Sequence, residues 1–157
     1  MRHTISVLVR NQPGVLARVA GLFSARGFNI ESLAVGETQD RELSRMTIVV
    51  PGDGCVLEQV RKQLSKLIDT IKVQEIEEQN CVTRDLMLIK VKAPSGHRGE
   101  ILEIAQVFHA DIVHLSEKTM IMQITGPEDQ LDRFINILRP FGVMEIMRTG
   151  RVAMVRD

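Results

Sequence analysis

Period-two and period-3.6 apolar patterning alternate in the same order twice along the chain, and this repeat leaves few folds open. Residues 4–9 alternate, with Ile5, Val7 and Val9 on one face and Thr4, Ser6 and Leu8 on the other, the signature of a half-buried strand. Asn11-Gln12-Pro13-Gly14 breaks the strand. Val15, Leu16, Val19, Leu22 and Phe23 then recur at helical spacing, and Gly27 supplies a stop. Strands are predicted at 28–37 and 43–50, separated by the polar turn 38–42. Pro51-Gly52-Asp53-Gly54 leads into an amphipathic helix carrying Val56, Leu57, Val60, Leu64, Leu67 and Ile68. Residues 70–76 read as a fourth strand.

The order then begins again. A strand at 85–91 runs through the loop 93–99 into a helix with Ile101, Leu102, Ile104, Ala105 and Phe108 on one face. Strands at 111–115 and 119–125 precede a last helix. Pro127 suits its first position, and Glu128 and Asp129 suit the positive end of its dipole. Leu131, Phe134, Ile135 and Leu138 are its buried face. Residues 143–149 form the closing strand, and Gly150 to Asp157 read as a short tail.

Two βαββαβ units, 1–78 and 79–157, joined near Glu78-Gln79-Asn80, predict an α+β protein of two ferredoxin-like units. Each has an antiparallel sheet with both helices on one face. At about 75 residues, a unit buries only a limited share of its surface. If Phe28, Ile30 and Ala34 point to the helices, Leu33 and Val35 lie on an open apolar face. Such a face finds a partner, so a homodimer through the first units is expected.

Composition removes several function classes. Lys plus Arg equals Asp plus Glu at 20 each, which argues against a general nucleic-acid binder. Aromatic residues are 3%, with no Trp or Tyr, so platforms for stacking bases are scarce. Cys55 and Cys81 are too few for a disulfide scaffold and read as free thiols of a reducing cytoplasm. No apolar run approaches the ~20 residues that span a bilayer. The N-terminal residues enter a strand pattern directly, without a signal-peptide core. A cytoplasmic protein with no membrane and no nucleic-acid partner is expected.

Catalytic signatures are missing: no GxSxG, HExxH, GxGxxG or GxxxxGK[ST] occurs. His3, His97, His109 and His114 are scattered and read as surface or packing residues, with no metal site. Glu75, Glu77 and Glu78 read as a solvated face. An acylphosphatase-like site would need an Arg at the first loop, but Arg18 lies a turn inside the helix and is expected to face away.

The informative stretch is Asn11 to Val19. A helix beginning after Pro13-Gly14 leaves the backbone N–H groups of Gly14, Val15 and Leu16 free, an anion site that suits a small carboxylate. Gly14 lets a ligand approach the backbone. Asn11 and Asn29 each offer a carbonyl and an amide to a zwitterion.

Residues 11–33, NQPGVLARVAGLFSARGFNIESL, strongly resemble an ACT domain, and specifically the small regulatory subunits of acetolactate synthase. LSRMTI at 43–48, LEQVRKQL at 57–64, RDLMLIKV at 84–91 and the closing Gly150 extend the resemblance over nearly the whole chain. It implies a subunit without an active site, partner to a separate catalytic chain. That chain uses thiamine diphosphate, magnesium and FAD to condense two pyruvates, or pyruvate with 2-ketobutyrate; no cofactor is expected in this one. The small subunit raises the partner's activity and makes it sensitive to end products, typically valine. By position, the implied effector site is Asn11, Gly14, Val15 and Leu16 of one protomer with Asn29 and Ile30 of the facing protomer. The alternative is a stand-alone ACT-type amino-acid sensor acting on another enzyme or regulator. The loop Ser95 to Gly99 corresponds to the first-unit turn but reads as an ordinary polar loop. Arg98, Arg148, Arg151 and Arg156 are candidate docking residues, each also readable as a solvated arginine.

Overall fold

The computed structural model describes residues 1–156; Asp157, the last residue of the expected tail, lies outside them. The first half contains β1 (Arg2–Arg10), α1 (Val15–Ala25), β2 (Ser32–Glu37), β3 (Leu43–Pro51), α2 (Gly54–Ser65) and β4 (Thr70–Ile76). The second contains β5 (Cys81–Lys92), α3 (Arg98–Val107), β6 (Asp111–Leu115), β7 (Thr119–Gly126), α4 (Glu128–Leu138), β8 (Val143–Arg148) and β9 (Val152–Val155). The sheet orders are β2-β3-β1-β4 and β6-β7-β5-β8, one topology used twice. The pairings β1–β3, β1–β4, β2–β3, β5–β7, β5–β8 and β6–β7 are antiparallel. Each half is thus the ferredoxin-like βαββαβ fold that the sequence predicts.

Burial follows the alternation. In β1, Ile5, Val7 and Val9 enter a core completed by Val15, Val19, Leu22 and Phe23 of α1 and Val60 and Leu64 of α2. Met87, Ile89 and Val91 of β5 do the same against Ile101 and Ala105 of α3 and Leu131, Phe134 and Leu138 of α4. Leu102, expected on the buried face of α3, is 39% exposed. Its neighbours Ile101 and Ala105 already fill the narrow stripe that faces the sheet. The side chain of Asp53 caps α2 by accepting the Val56 N–H at 3.0 Å. One turn further on, the Lys62 ammonium bonds the Glu58 carboxylate at 2.8 Å and holds its pKa below the usual value. Pro127 caps α4 from just outside, one position earlier than expected.

Three expectations change. The strand predicted from Phe28 begins only at Ser32. Residues 27 and 28 instead close α1: Gly27 adopts φ +68°, and Phe28 N–H bonds Phe23 O at 3.0 Å. Leu33 and Val35 lie on the helix side, opposite Ile48 and Met46 of the core, while Ala34 faces Thr47 on the other surface. The expected orientation of β2 is therefore inverted.

The tail is also not a loose end. The compact units are residues 1–82 together with the stretch from Arg151, and residues 83–150. This differs from the division expected at Glu78. Within the first unit, Arg151 donates its N–H to Ser32 Oγ at 2.9 Å and Nη1 to Thr4 Oγ1 at 3.1 Å. β9 pairs with β5, and Arg156 N–H bonds Asn80 O at 2.7 Å. Thr4, Ser6 and Thr47 of the second sheet face are buried, and Arg45 donates to Ser6 Oγ at 3.3 Å. That face is polar and already occupied, not apolar and bare.

In the second unit, Arg148 donates Nε to Asp85 Oδ2 at 2.9 Å and Nη1 to Asp132 Oδ1 at 3.2 Å. Thr149 Oγ1 also donates to Asp85, at 3.1 Å. The Asp85 side chain is 7% exposed, so Arg148→Ala strands a buried carboxylate. Chemical denaturation of this variant should show a loss of about 3 kcal/mol, the low end for breaking a buried pair, because Arg148 keeps some solvent contact.

Candidate functional site

The turn between β1 and α1 is fixed from two sides. Asn11 N–H bonds Glu42 O at 2.7 Å, and Arg10 N–H bonds Asp69 O at 2.9 Å. Gly14 adopts φ +84°, a left-handed conformation that glycine takes without penalty, and stands as the N-cap of α1. Val15 anchors the first turn in the core, whereas Leu16 is 46% exposed beside it. A helix start leaves its first N–H groups without intrahelical acceptors. The cap residue here has no side chain to satisfy them. Val15 N–H bonds Gln12 O at 3.4 Å, so of the expected cluster Gly14 and Leu16 keep backbone donors unengaged among the described residues, with the Leu16 side chain as an apolar neighbour.

Asn11 has a more definite part than its chemistry alone suggested. Its Nδ2 donates to Arg41 O at 2.9 Å and to Glu37 Oε1 at 3.2 Å. Both partners are acceptors, which fixes the amide orientation. Oδ1 has no donor among the described residues, so Asn11 offers an acceptor and not a donor to a ligand.

Arg18 was expected to face away from the turn, and it does not. Its Nη1 lies 3.1 Å from the point where a Cβ on Gly14 would stand. Nε and Nη2 bond Asp69 Oδ2 at 2.9 and 2.5 Å, and that carboxylate is 10% exposed. The guanidinium thus sits over the turn with Nη1 unengaged. The sequence signal for this was the i, i+4 spacing of Gly14 and Arg18, which puts both on one helix face.

Asn29 is exposed and Ile30 packs partly on the first core. Neither joins the Asn11 cluster within one chain. α1 has 11 residues, so its ends are ~16 Å apart. Sheet register agrees: Ser32 pairs in the row of Val49 and Thr4, whereas Glu37 pairs in the row of Ser44 and Val9. The six residues fall into two groups at opposite ends of the first unit.

The other candidates are mostly structural. Arg98 donates to the carbonyls of Ala93, Ser116 and Glu117, closing the loop before α3. Arg148 and Arg151 are engaged as described above. The Arg156 backbone bonds Asn80, and its residue is exposed. Cys55 is exposed and Cys81 buried, both as free thiols. Among the described residues no three His, Cys, Asp or Glu side chains are grouped to hold a metal ion. No helix among the described residues is long and apolar enough to cross a membrane.

Comparison with known proteins gives a consistent result. Residues 5–72 match the family described as AHAS small subunit-like ACT domain, and residues 84–157 match the family described as small subunit of acetolactate synthase. A probable acetolactate synthase small subunit of Archaeoglobus fulgidus is 60% identical over 99% of this chain and 98% of its own. The acetolactate synthase small subunit of Mycolicibacterium smegmatis is 49% identical over 98% of this chain and 91% of its own. The crystal structure of the acetolactate synthase small subunit from Thermotoga maritima superposes with a TM-score of 0.93 at 42% identity, covering 100% of this chain and 98% of that one.

The turn geometry carries its own test. A Cβ at Gly14 meets both an unfavourable φ and the Arg18 guanidinium, so Gly14→Ala should lower stability by about 1–2 kcal/mol. Thermal melting would read this as a fall of several degrees.

Proposed function

The chain belongs to the family of acetolactate synthase small subunits, and from that premise we propose that it activates a separate catalytic subunit and confers feedback inhibition by valine. It has no catalytic role of its own on this reading. Thiamine diphosphate, magnesium and FAD belong to the catalytic chain, and the complex works in the cytoplasm on branched-chain amino-acid synthesis.

The observation that carries the valine reading is the pair of complementary half-sites at opposite ends of α1. One end presents the Gly14 and Leu16 N–H groups and the Asn11 Oδ1 acceptor; the other presents Asn29 and Ile30. One copy cannot bring them to a single ligand. Two copies related by a two-fold axis through the edge strand β2 run antiparallel and set unlike ends side by side. The homodimer is therefore part of the site. The amino-acid carboxylate takes the helix N–H groups, with Arg18 Nη1 at hand. The ammonium takes Asn11 Oδ1. The isopropyl group meets Leu16 and the partner copy's equivalent of Ile30.

The energetics suit a sensor. Valine has eight heavy atoms, and ~1 kcal/mol per atom corresponds to micromolar affinity. A site shared by two protomers turns occupancy into a change of subunit packing. A coupling of about 1–3 kcal/mol changes the partner's output 5- to 150-fold.

Thermal melts against the twenty L-amino acids, with D-valine as control, test the site. At about 100 times its Kd, L-valine should add ~2.7 kcal/mol and raise the midpoint by several degrees. D-valine should have no effect, and Asn11→Ala should lose the response. A response to both enantiomers, or one unaltered in Asn11→Ala, would exclude this geometry. Reconstitution tests the regulatory role: adding the chain to an acetolactate synthase catalytic subunit from the same organism should raise its turnover several-fold, reversibly by valine. A catalytic subunit indifferent to the chain would sink the reading.

A further inference from the structure

The second unit carries a feature that the effector site does not use. A groove of about 420 Å³ lies between α3 and the end of α4, continuing to the 3-10 turn Arg139–Phe141. Ile104, Phe108 and Phe141 form its half-buried floor. Val107 and Ile137 stand as walls and are 75% and 45% exposed. Glu100 and Glu103 close one end. Positions 100, 103, 104 and 107 fall on one stripe of α3, so the groove has a polarity: acidic near the start of the helix, apolar near its end. The side chain at the acidic end is that of His97, whose Nδ1 is 3.6 Å from Glu100 Oε2 and whose ring lies edge-on to Phe141. Arg98, the next basic residue, is spent on three carbonyls. The carboxylates thus face solvent without a guanidinium or ammonium opposite them, beside apolar side chains that a helix surface normally turns inward.

We propose that this groove receives an amphipathic basic segment of the catalytic subunit, with an aliphatic or aromatic side chain between Val107 and Ile137 and a Lys or Arg at Glu100 and Glu103. This rests on the regulatory reading above, for which it supplies a docking surface outside the effector unit. Charge complementarity selects the occupant: a second copy of this chain would bring the same acidic end, and an acidic or purely apolar segment would leave both carboxylates unpaired. Apolar anchors in a concavity ringed by polar groups are the usual arrangement of a hot spot.

The test uses the full chain and the catalytic subunit of the same organism. Two variants are compared: Glu100→Lys with Glu103→Lys, which reverses the charged end, and Ile137→Asp, which spoils the apolar wall. Glu100 is 65% exposed at its side chain, so the charge reversal should leave folding intact; an unchanged midpoint and valine response verify that. The concentration of chain that half-saturates the catalytic subunit should rise by about tenfold or more in each variant. The charge reversal should also weaken the salt dependence of binding. Binding equal to that of the unmodified chain in both folded variants overturns the groove while sparing the regulatory reading. So would altered self-association in sedimentation with unaltered binding to the catalytic subunit, which would make the groove an interface between copies. Failure of the unmodified chain to bind would overturn both.

Discussion

β1 is hydrogen-bonded along both edges, to β3 and to β4, and sends Ile5, Val7 and Val9 to the helices on one side and Thr4 and Ser6 to the other. The rest of the first unit depends on that two-sidedness. One face can be covered only by apolar helix stripes, and α1 and α2 supply them. The opposite face carries hydroxyls that need donors or acceptors once buried. Arg45 and Arg151 meet that need, the latter from the far end of the sequence. β5 repeats the apolar half of this arrangement with Met87, Ile89 and Val91, but its outward Leu86 and Leu88 remain 37% and 38% exposed. One topology therefore gives two differently finished sheets.

The end of β1 is also where the proposed effector turn lies. A strand leaving a sheet and a helix returning over it must meet in a short turn, and that turn exposes the helix's first N–H groups. Here the turn is braced by neighbouring parts of the unit. The β2–β3 hairpin holds Asn11 through Glu37, Arg41 and Glu42, and the α2–β4 connection holds Arg10 and Arg18 through Asp69. A ligand arriving there meets groups that are already oriented, which lowers the ordering cost of binding. It also meets a turn coupled through Asp69 to the segment entering β4, so occupancy has a physical route into the sheet.

Much of this was legible in the sequence. The βαββαβ order, the core stripe of α4, most of those of α1 and α2, and the limits of β4 and β6 follow from periodicity, because side chains on a pleated strand or a helix have no other way to share a face. Leu16 and Ile68, expected in the stripes, are 46% and 87% exposed, and α2 ends at Ser65 before Leu67 and Ile68. The Asn11–Leu16 cluster was legible too, since all its members are local to one turn. The orientation of β2 was not. Phe28 and Ile30 are apolar, but Phe28 closes α1 and Ile30 packs on the core ahead of the strand, so alternation counted from them places Leu33 on the wrong face. The i, i+4 spacing put Arg18 on the helix face of Gly14, but the carboxylate that holds the guanidinium there, Asp69, is 51 residues away and had no local signal.

The sequence by itself determined two units of one fold, the family to which they belong, and the chemical character of the turn at the start of α1. These depend on local pattern, and local pattern is written consecutively. Tertiary structure alone decided that the C-terminal stretch from Arg151 returns to the first unit, that Asn11 presents only its carbonyl, and that the six expected site residues fall into two separated groups. Each of those outcomes depends on which distant groups compete for the same hydrogen bonds, and that competition is settled only when the strands have taken their register.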